Sequence, residues 1–149
     1  WSMLLDWHKL QRKRVHTFHQ VRSLIGRVRH LPNILSSDKE AVAEAERQAI
    51  NFPCQSLASD LTLLALIEIV KVIKERGWDW IWAVCLIHDA ILFMVKKEHL
   101  DEGCQLIYDK MVGITQVLRD KFKANFSVPI QVEIKYGDHF GSGIIWKPQ

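Results

Sequence analysis

The sequence lacks paired cysteines and long hydrophobic runs. Its three cysteines, Cys54, Cys85 and Cys104, lie far apart and form no Cys-x-x-Cys pair. This spacing argues against a zinc site and a disulfide framework, and it predicts buried free thiols in a reducing compartment. The longest apolar stretches, Leu61–Ile67 and Ile81–Ile87, are much shorter than the ~20 residues of a membrane span. We therefore expect no membrane segment, and no signal peptide.

Internal repeats, low-complexity segments and linkers are also absent. The 149 residues are 48% hydrophobic and 25% charged, which places them in the globular range and excludes a disordered chain. This length is one domain's worth, enough to bury a core or to complete a larger one. Because the chain opens on Trp1 and not on methionine, we expect that it was cut or processed from something longer.

The positive charge is concentrated near the beginning of the chain. The formal net charge is only +3, yet residues 1–30 carry seven basic groups against one acid, Asp6. The basic residues are Lys9, Arg12, Lys13, Arg14, Arg22, Arg27 and Arg29. A basic end on a near-neutral body suits a phosphate backbone or an acidic protein surface, and a solvated charged helix is the alternative interpretation.

Hydrophobic periodicity predicts helices in the first half of the chain. Residues 2–21 have helical spacing, and a short hairpin should follow, with strands at Val21–Leu24 and Val28–Leu31. A capping-box pattern at residues 37–40 predicts a helix that runs to about Phe52, where Pro53 should break or kink it. A second helix, over residues 56–76 and ending before Gly77, is apolar on most faces and should be buried.

The second half of the chain adds strands. Ile81–Ile87 and Ile91–Val95 should form a tight hairpin, followed by a helix over residues 99–122. The alternating segment Val128–Tyr136 predicts a strand, and residues 137–149 an irregular tail. The fold class is therefore α+β, a small antiparallel sheet backed by helices, with an amino-terminal helix and hairpin.

The strand–His88-Asp89-Ala90–strand element is the sharpest local feature. A tight hairpin presents an acid on a rigid support, where one carboxylate oxygen can hold Mg²⁺ while phosphates and water take other positions. The alternative interpretation is a structural turn, because Asp in turns commonly bonds its own backbone.

A second candidate surface combines a cation with two amides. Arg47 and Asn51 are four residues apart and share a helix face, and Gln55 follows just after Pro53. These groups can donate hydrogen bonds to the acceptors that every base pair shows in the minor groove. An ordinary polar helix face is the alternative.

Three segments resemble family A (polymerase-I-like) DNA polymerases, in the family's order and with its spacing. Glu46–Asp60, ERQAINFPCQSLASD, resembles the family segment ER-x-A-x-N-x-P-x-QG-x-AAD. Leu86–Val95, LIHDAILFMV, resembles motif C, a strand–His-Asp-Glu–strand hairpin of the form VHDELVFEV. Gly26–Pro32, GRVRHLP, is similar to the GR-x-x-x-LP that precedes them. The similarity covers about residues 20–149.

This resemblance implies a polymerase palm and a role for each matching residue. Asp89 would bind the catalytic magnesium ions and His88 would contact the primer end. Primer–template DNA would be contacted by Arg47, Asn51, Gln55, Arg27 and Arg29. Residues 1–35 would form a helix and hairpin next to the fingers, and residues 36–149 the palm. The implied partners are primer–template DNA and deoxynucleoside triphosphates, and the implied location is the cytoplasm or nucleoid of a bacterial or phage-infected cell, with an organelle as an open alternative.

The sequence departs from the family at several points. Ala90 stands where the family usually has glutamate, and Ser56-Leu57 replaces the usual Gly-Thr. In the family, the partner aspartate of motif A and the nucleotide-binding residues of motif B lie upstream of the stretch that aligns here. Two-metal phosphoryl transfer needs a pair of carboxylates. We therefore expect the isolated chain to be inactive, its two-metal site being shared with an amino-terminal polymerase fragment.

Three other functions stay open at this point. The chain would be a non-catalytic DNA- or protein-binding module if Ala90 marks decay of the site. A His-Asp metal phosphohydrolase would need further His and Asp ligands, for which no motif is found. A single-subunit RNA polymerase shares the His-Asp hairpin, but the ERQAIN…Q segment favours DNA synthesis.

Overall fold

A computed structural model describes residues 2–148 as four α-helices, two short 3-10 helices and six short strands. The helices are α1 Ser2–Phe18, α2 Lys39–Glu75, α3 Leu100–Val112 and α4 Ile114–Phe122, and the 3-10 helices are Pro32–Leu35 and Lys97–His99. The strands are β1 Gln20–Arg22, β2 Val28–His30, β3 Ile81–Ile87, β4 Ala90–Val95, β5 Ile134–Tyr136 and β6 Ile144–Trp146. The α+β class predicted from the sequence is confirmed.

The chain forms two compact units, one up to Ala58 and the other from Ser59 onward, and α2 contributes residues to both. We call them the first unit and the second unit. The predicted division into residues 1–35 and 36–149 concerns roles in a whole polymerase and stays a prediction.

The first unit packs α1, the β1–β2 hairpin and the beginning of α2 around a small apolar core. Its buried residues are Val15, Val21, Leu31, Ile34, Ala45 and Ala49. Helix α1 ends at Phe18, three residues earlier than predicted, because His19 takes a positive φ of 53° and Gln20 already begins β1. Glu46 of α2 links to α1 through His16 Nε2 at 2.8 Å and Arg12 Nε at 3.3 Å. The predicted hairpin is present, in shorter strands.

The second unit has a larger core between the end of α2, the β3–β4 hairpin and α3. Its buried residues are Ile69, Trp80, Ile81, Leu106 and Ile107. Helix α2 stops at a glycine cap, where Trp78 N donates to Ile73 O and Gly77, at φ 63°, donates to Lys74 O. Helix α3 lies against the hairpin at Gly103, where an added Cβ would come within 3.1 Å of Val95 Cγ1.

Two helix predictions are wrong in their bounds. Helix α2 is one helix of 37 residues that contains Pro53, not two helices separated by it. Proline in a helix interior costs about 3 kcal/mol, but buried residues on both sides, including Ala49 and Ala65, hold the helix together. The region predicted as one helix over 99–122 is divided at Gly113, where an added Cβ would lie 2.9 Å from Asp109 O.

The beginning of α2 and its exposure also differ from expectation. The capping side chain is Asp38, whose Oδ1 accepts from Glu40 N at 2.9 Å, and not Ser37. The second half of α2 is only partly buried, since Leu63 and Ile67 are exposed.

The sheet and thiol predictions need correction as well. The described residues form three separate two-stranded antiparallel sheets, not one small sheet. The predicted strand Val128–Tyr136 is reduced to β5, because its partner β6, in the tail predicted to be irregular, has only three residues to pair with it. All three thiols are free, but only Cys104 is buried, whereas Cys54 and Cys85 are exposed.

Candidate active site

The β3–β4 hairpin ends in a two-residue turn made of His88 and Asp89. The pair Ile87–Ala90 closes the ladder, so Ala90 is the first residue of β4 and not part of the turn. His88 has a positive φ of 55°, at the position where two-residue hairpin turns commonly carry glycine. Both turn side chains are exposed. The hairpin thus presents an imidazole and a carboxylate side by side to solvent.

The base of this hairpin is anchored in the core of the second unit. Ile81, Phe93 and Val95 pack in or against the cluster around Ile69. The ladder is irregular at Val84, which is skipped between the Ala83–Phe93 and Cys85–Leu92 pairs, as in a β-bulge. The tip therefore projects from a fixed base, a geometry that suits a metal ligand.

One contact joins the turn to α2. Thr62, a buried residue of α2, lies with its Oγ1 3.5 Å from the backbone carbonyl of Asp89, the upper limit for a hydrogen bond. The contact leaves the carboxylate of Asp89 available to other groups. Thr62 is thus a neighbour of the turn that the sequence alone did not indicate.

The other acids of the second half of α2 are engaged elsewhere. Asp60 is 1% exposed. Glu68 accepts a hydrogen bond from Lys121 of α4, and this bond holds the pKa of Glu68 below its usual value. Within residues 2–148 no three His, Cys, Asp or Glu side chains cluster as a metal site would require. Asp89 therefore fits as one carboxylate ligand of Mg²⁺, and the described residues do not complete the set.

The second set of candidates lies on the first half of α2. Arg47, Asn51 and Gln55 are all exposed and all helical, because α2 continues through Pro53. Their spacing of four places them within about 80° of one another around the axis and along about 12 Å of its length. The structure thus brings these three residues onto one face of one helix, a closer arrangement than the sequence predicted for Gln55.

Arg47 and Arg29 are connected by hydrogen bonds through two residues of α2. Arg47 donates to Glu44 Oε2 from Nε at 2.9 Å and from Nη2 at 2.6 Å. Gln48 Nε2 donates to Glu44 Oε1 at 3.0 Å, and Arg29 Nη2 donates to Gln48 Oε1 at 2.9 Å. We call these four residues the Glu44 network. The sequence interpretation missed Glu44 and Gln48, although Glu44 lies three residues before Arg47 and four before Gln48, the i,i+3 and i,i+4 spacings of helical pairs.

The remaining candidate, Arg27, lies in the turn region between β1 and β2. Its backbone N–H donates to Ser23 Oγ at 3.1 Å, and its side chain is exposed. Arg29 also lies over the ring of Phe52, 5.9 Å from the centroid. The DNA-contact candidates therefore gather in the first unit, and the metal-binding candidate lies in the second.

Comparison with known proteins decides the family. The model of DNA polymerase family A matches residues 2–142 of the chain. The chain belongs to DNA polymerase family A. The family resemblance inferred from the three motifs is thereby confirmed.

Individual relatives agree with this assignment. The chain is similar to the DNA polymerase of Bacillus phage SP01, with 32% identity over 136 residues, 91% of this chain and 14% of that protein. It is 29% identical to the thermostable DNA polymerase I of Thermus aquaticus over 118 residues, 79% of this chain and 13% of the relative.

A solved structure shares the fold. The POL domain of Pol1 from M. smegmatis, in complex with DNA primer-template and dNTP, matches with a TM-score of 0.68 and 28% identity, over 73% of this chain and 19% of that one. The chain thus spans less than a fifth of the length of the proteins it matches. None of the helices in residues 2–148 has the length and apolar character needed to cross a membrane.

Proposed function

We propose that this chain is the carboxyl-terminal part of a template-directed DNA polymerase. In this role Asp89 is a ligand of the catalytic metal ions, and His88 contacts the end of the primer. Arg47, Asn51 and Gln55, with Arg27 and Arg29, contact primer–template DNA. The motifs A and B that complete the site, and bind the deoxynucleoside triphosphate, are supplied by polypeptide beyond these 149 residues, in a separate amino-terminal fragment.

The observation that carries this proposal is the two-residue turn with its exposed acid. A carboxylate serves as a first ligand of Mg²⁺ when its support is rigid and its oxygens are open to water and phosphate. Asp89 has such a support, because the hairpin beneath it is anchored in the core of the second unit. A turn with a purely structural Asp would be expected to use that side chain within the turn, and within residues 2–148 the structure shows no such hydrogen bond for the exposed Asp89 carboxylate.

Family A polymerases are generally Mg²⁺-dependent, and Asp89 is the residue of this chain that would hold the metal. When bound, Mg²⁺ supplies charge stabilisation for the attacking and leaving oxygens of phosphoryl transfer. The chain's own contribution is to fix the position of the carboxylate. His88, next to it in the turn, offers a ring nitrogen at the same edge, where a primer terminus would lie.

The proposed contacts between α2 and DNA follow from the hydrogen-bond donors on the surface of this helix. Arg47, Asn51 and Gln55 present N–H donors along one face of α2, and DNA offers acceptors at every base pair of the minor groove and phosphate oxygens along its edges. Because these acceptors are nearly the same for all sequences, such contacts hold DNA without reading it. A replicative enzyme requires this property.

A reassembly assay tests the proposal. The purified chain is mixed with a polymerase fragment that carries motifs A and B, together with primed template, Mg²⁺ and the four deoxynucleoside triphosphates. We expect template-directed extension from the mixture and none from either part alone. The proposal fails if the two parts form a complex on primed DNA but extend no primer.

One feature favours a second function, a non-catalytic DNA-binding module. Ala90 is exposed on β4, so packing does not explain the absence of the family's glutamate at this position. Restoring the acid with Ala90→Glu in the reassembled enzyme separates the two functions. If the enzyme is active with Ala90 and Ala90→Glu changes its rate only mildly, the catalytic function is supported. If the enzyme is active only with Ala90→Glu, the site has decayed.

A further inference from the structure

The Glu44 network holds one of the proposed DNA-contact cations, Arg47, against an acid, and a second, Arg29, against the amide oxygen of Gln48. Both carboxylate oxygens of Glu44 are used, Oε2 by the guanidinium of Arg47 and Oε1 by the amide of Gln48. Through Gln48 the network extends to Arg29 on β2. Glu44 lies outside the segment that begins at Glu46, so the family motif does not account for it.

Glu44 remains anionic throughout the neutral range. Its pKa lies below the usual value because Gln48 and then Arg47 donate hydrogen bonds to the carboxylate, with smaller contributions from the charges of Arg47 and Arg29. The carboxylate therefore presents to Arg47 the kind of charged acceptor oxygen that a DNA phosphate presents.

The same contacts are easily replaced. The side chains of Arg47 and Glu44 are 64% and 51% exposed, and ion pairs between exposed side chains add little net stability. A shallow cleft of about 200 Å³ borders the network, lined by Arg29, His30, Asn33, Glu44 and Gln48. An incoming phosphate has space in this cleft beside Glu44 and Arg29, and the exposed guanidinium of Arg47 can be reached from solvent.

We infer that Glu44 is an internal competitor for DNA, a carboxylate that occupies the donors of Arg47 and is displaced when a DNA phosphate binds. This inference rests on the proposed contact of Arg47 and Arg29 with DNA. In this role Glu44 weakens DNA binding and limits it to positions where a phosphate reaches the network. It therefore favours the release of DNA.

The test compares Glu44→Gln with Glu40→Gln in the full chain. Both changes remove one negative charge from the beginning of α2, but Glu40 is not part of the network. We expect Glu44→Gln to raise the affinity for primed duplex DNA by roughly threefold to tenfold at low salt, with a salt slope steeper by about one. Glu40→Gln should change affinity less than twofold, roughly the effect of net charge alone.

A double variant tests whether Glu44 acts through Arg47. In Glu44→Gln/Arg47→Gln the gain should vanish, because the freed donors are gone. Reduced affinity in Glu44→Gln would overturn the inference and make Glu44 a residue that orients Arg47 for DNA. Binding that rises equally in Glu44→Gln and Glu40→Gln would overturn it too, as an effect of net charge. If Arg47→Gln leaves wild-type affinity unchanged, the proposed DNA contact itself fails, a distinct result.

Discussion

The two units hold their candidate residues in different ways. In the first unit, Arg29 and Arg47 lie on the surface, and the hydrogen bonds that they donate to Gln48 and Glu44 set their positions. In the second unit, Asp89 is placed by backbone geometry, at a two-residue turn above strands that are anchored in a core. Side-chain networks on a surface rearrange at little cost, whereas a turn closed by a strand ladder does not. The first arrangement suits a partner that slides, and the second a metal ion that must stay fixed.

The largest expected effect on stability concerns the core beneath the hairpin. Ile69→Ala should lower the free energy of unfolding by about 2–5 kcal/mol, because it leaves a cavity at a fully buried position. Val15→Ala, at the matching position in the core of the first unit, removes fewer carbons and should cost less. Denaturant titrations of both variants measure this difference. Equal losses would mean that the two cores are equally important to stability.

The next effect concerns the buried thiol of the second unit. Burial, and then the nearby charge of Asp101, raises the pKa of Cys104 from its ordinary 9.0 to about 11, which lowers its thiolate fraction about 100-fold at neutral pH. We expect a thiol reagent to modify Cys54 and Cys85 rapidly and Cys104 only on unfolding, as mass spectrometry of timed samples would show.

The same thiol makes stability depend on pH in the alkaline range. Between about pH 9 and 11 the unfolded chain loses the Cys104 proton while the folded chain keeps it, so unfolding becomes easier as pH rises. A Cys104→Ala variant serves as the control and should lose less stability over this range. A Cys104 that reacts as fast as Cys85 in the native protein would contradict its burial.

A smaller effect is expected for DNA binding by the first unit. Arg47→Gln should weaken binding to primed duplex DNA roughly fivefold to tenfold and lower the salt slope by about one, as expected for the loss of one cationic contact. Lys74→Gln, an equal charge change near the end of α2, serves as the control. Fluorescence anisotropy over a range of salt concentrations measures both. Identical losses of affinity in the two variants would mean that Arg47 acts only through net charge and not through a specific contact with DNA.

The smallest effect is expected at the turn itself. His88→Gly should change the free energy of unfolding by less than about 1 kcal/mol, because relief of the positive φ is offset by the greater entropy of glycine in the unfolded chain. Ala90→Gly is the matched control and should destabilise, since Ala90 is a strand residue. Thermal melts of the two variants distinguish them. A large loss in His88→Gly would show that the imidazole itself holds the turn.

The sequence predicted local elements better than their connections. The hairpin around His88 and Asp89 was predictable because two apolar runs flank a short polar gap, a local signal. The continuity of α2 through Pro53 was not, because tertiary packing on both sides offsets a local penalty. The division of the sheet into three ladders depends on pairings between distant segments, such as Ile134 with Trp146, for which a single sequence gives no direct signal.

The candidate site, too, could be predicted only in part from the sequence. Arg47 and Asn51 were found by their spacing and Gln55 by its place just after Pro53, and the family motifs then joined them to Asp89. The side chains that contact the candidates are Glu44 for Arg47, Gln48 for Arg29 and Thr62 for the turn at Asp89, and they lie outside the residues that the motifs single out. The spacing of charged and polar residues along α2 allows many different side-chain pairs. Only the three-dimensional structure shows which of them form.

The most direct test of the metal-ligand role of Asp89 is single-turnover primer extension by the reassembled enzyme. Asp89→Asn keeps the shape of the side chain and removes its charge, and Asp79→Asn makes the same change at an exposed acid just before β3. We predict that Asp89→Asn slows nucleotide addition by on the order of 10³-fold or more, about 4 kcal/mol of barrier, while Asp79→Asn stays close to wild type. Equal rates for Asp89→Asn and wild type would remove Asp89 from the metal site and contradict the account.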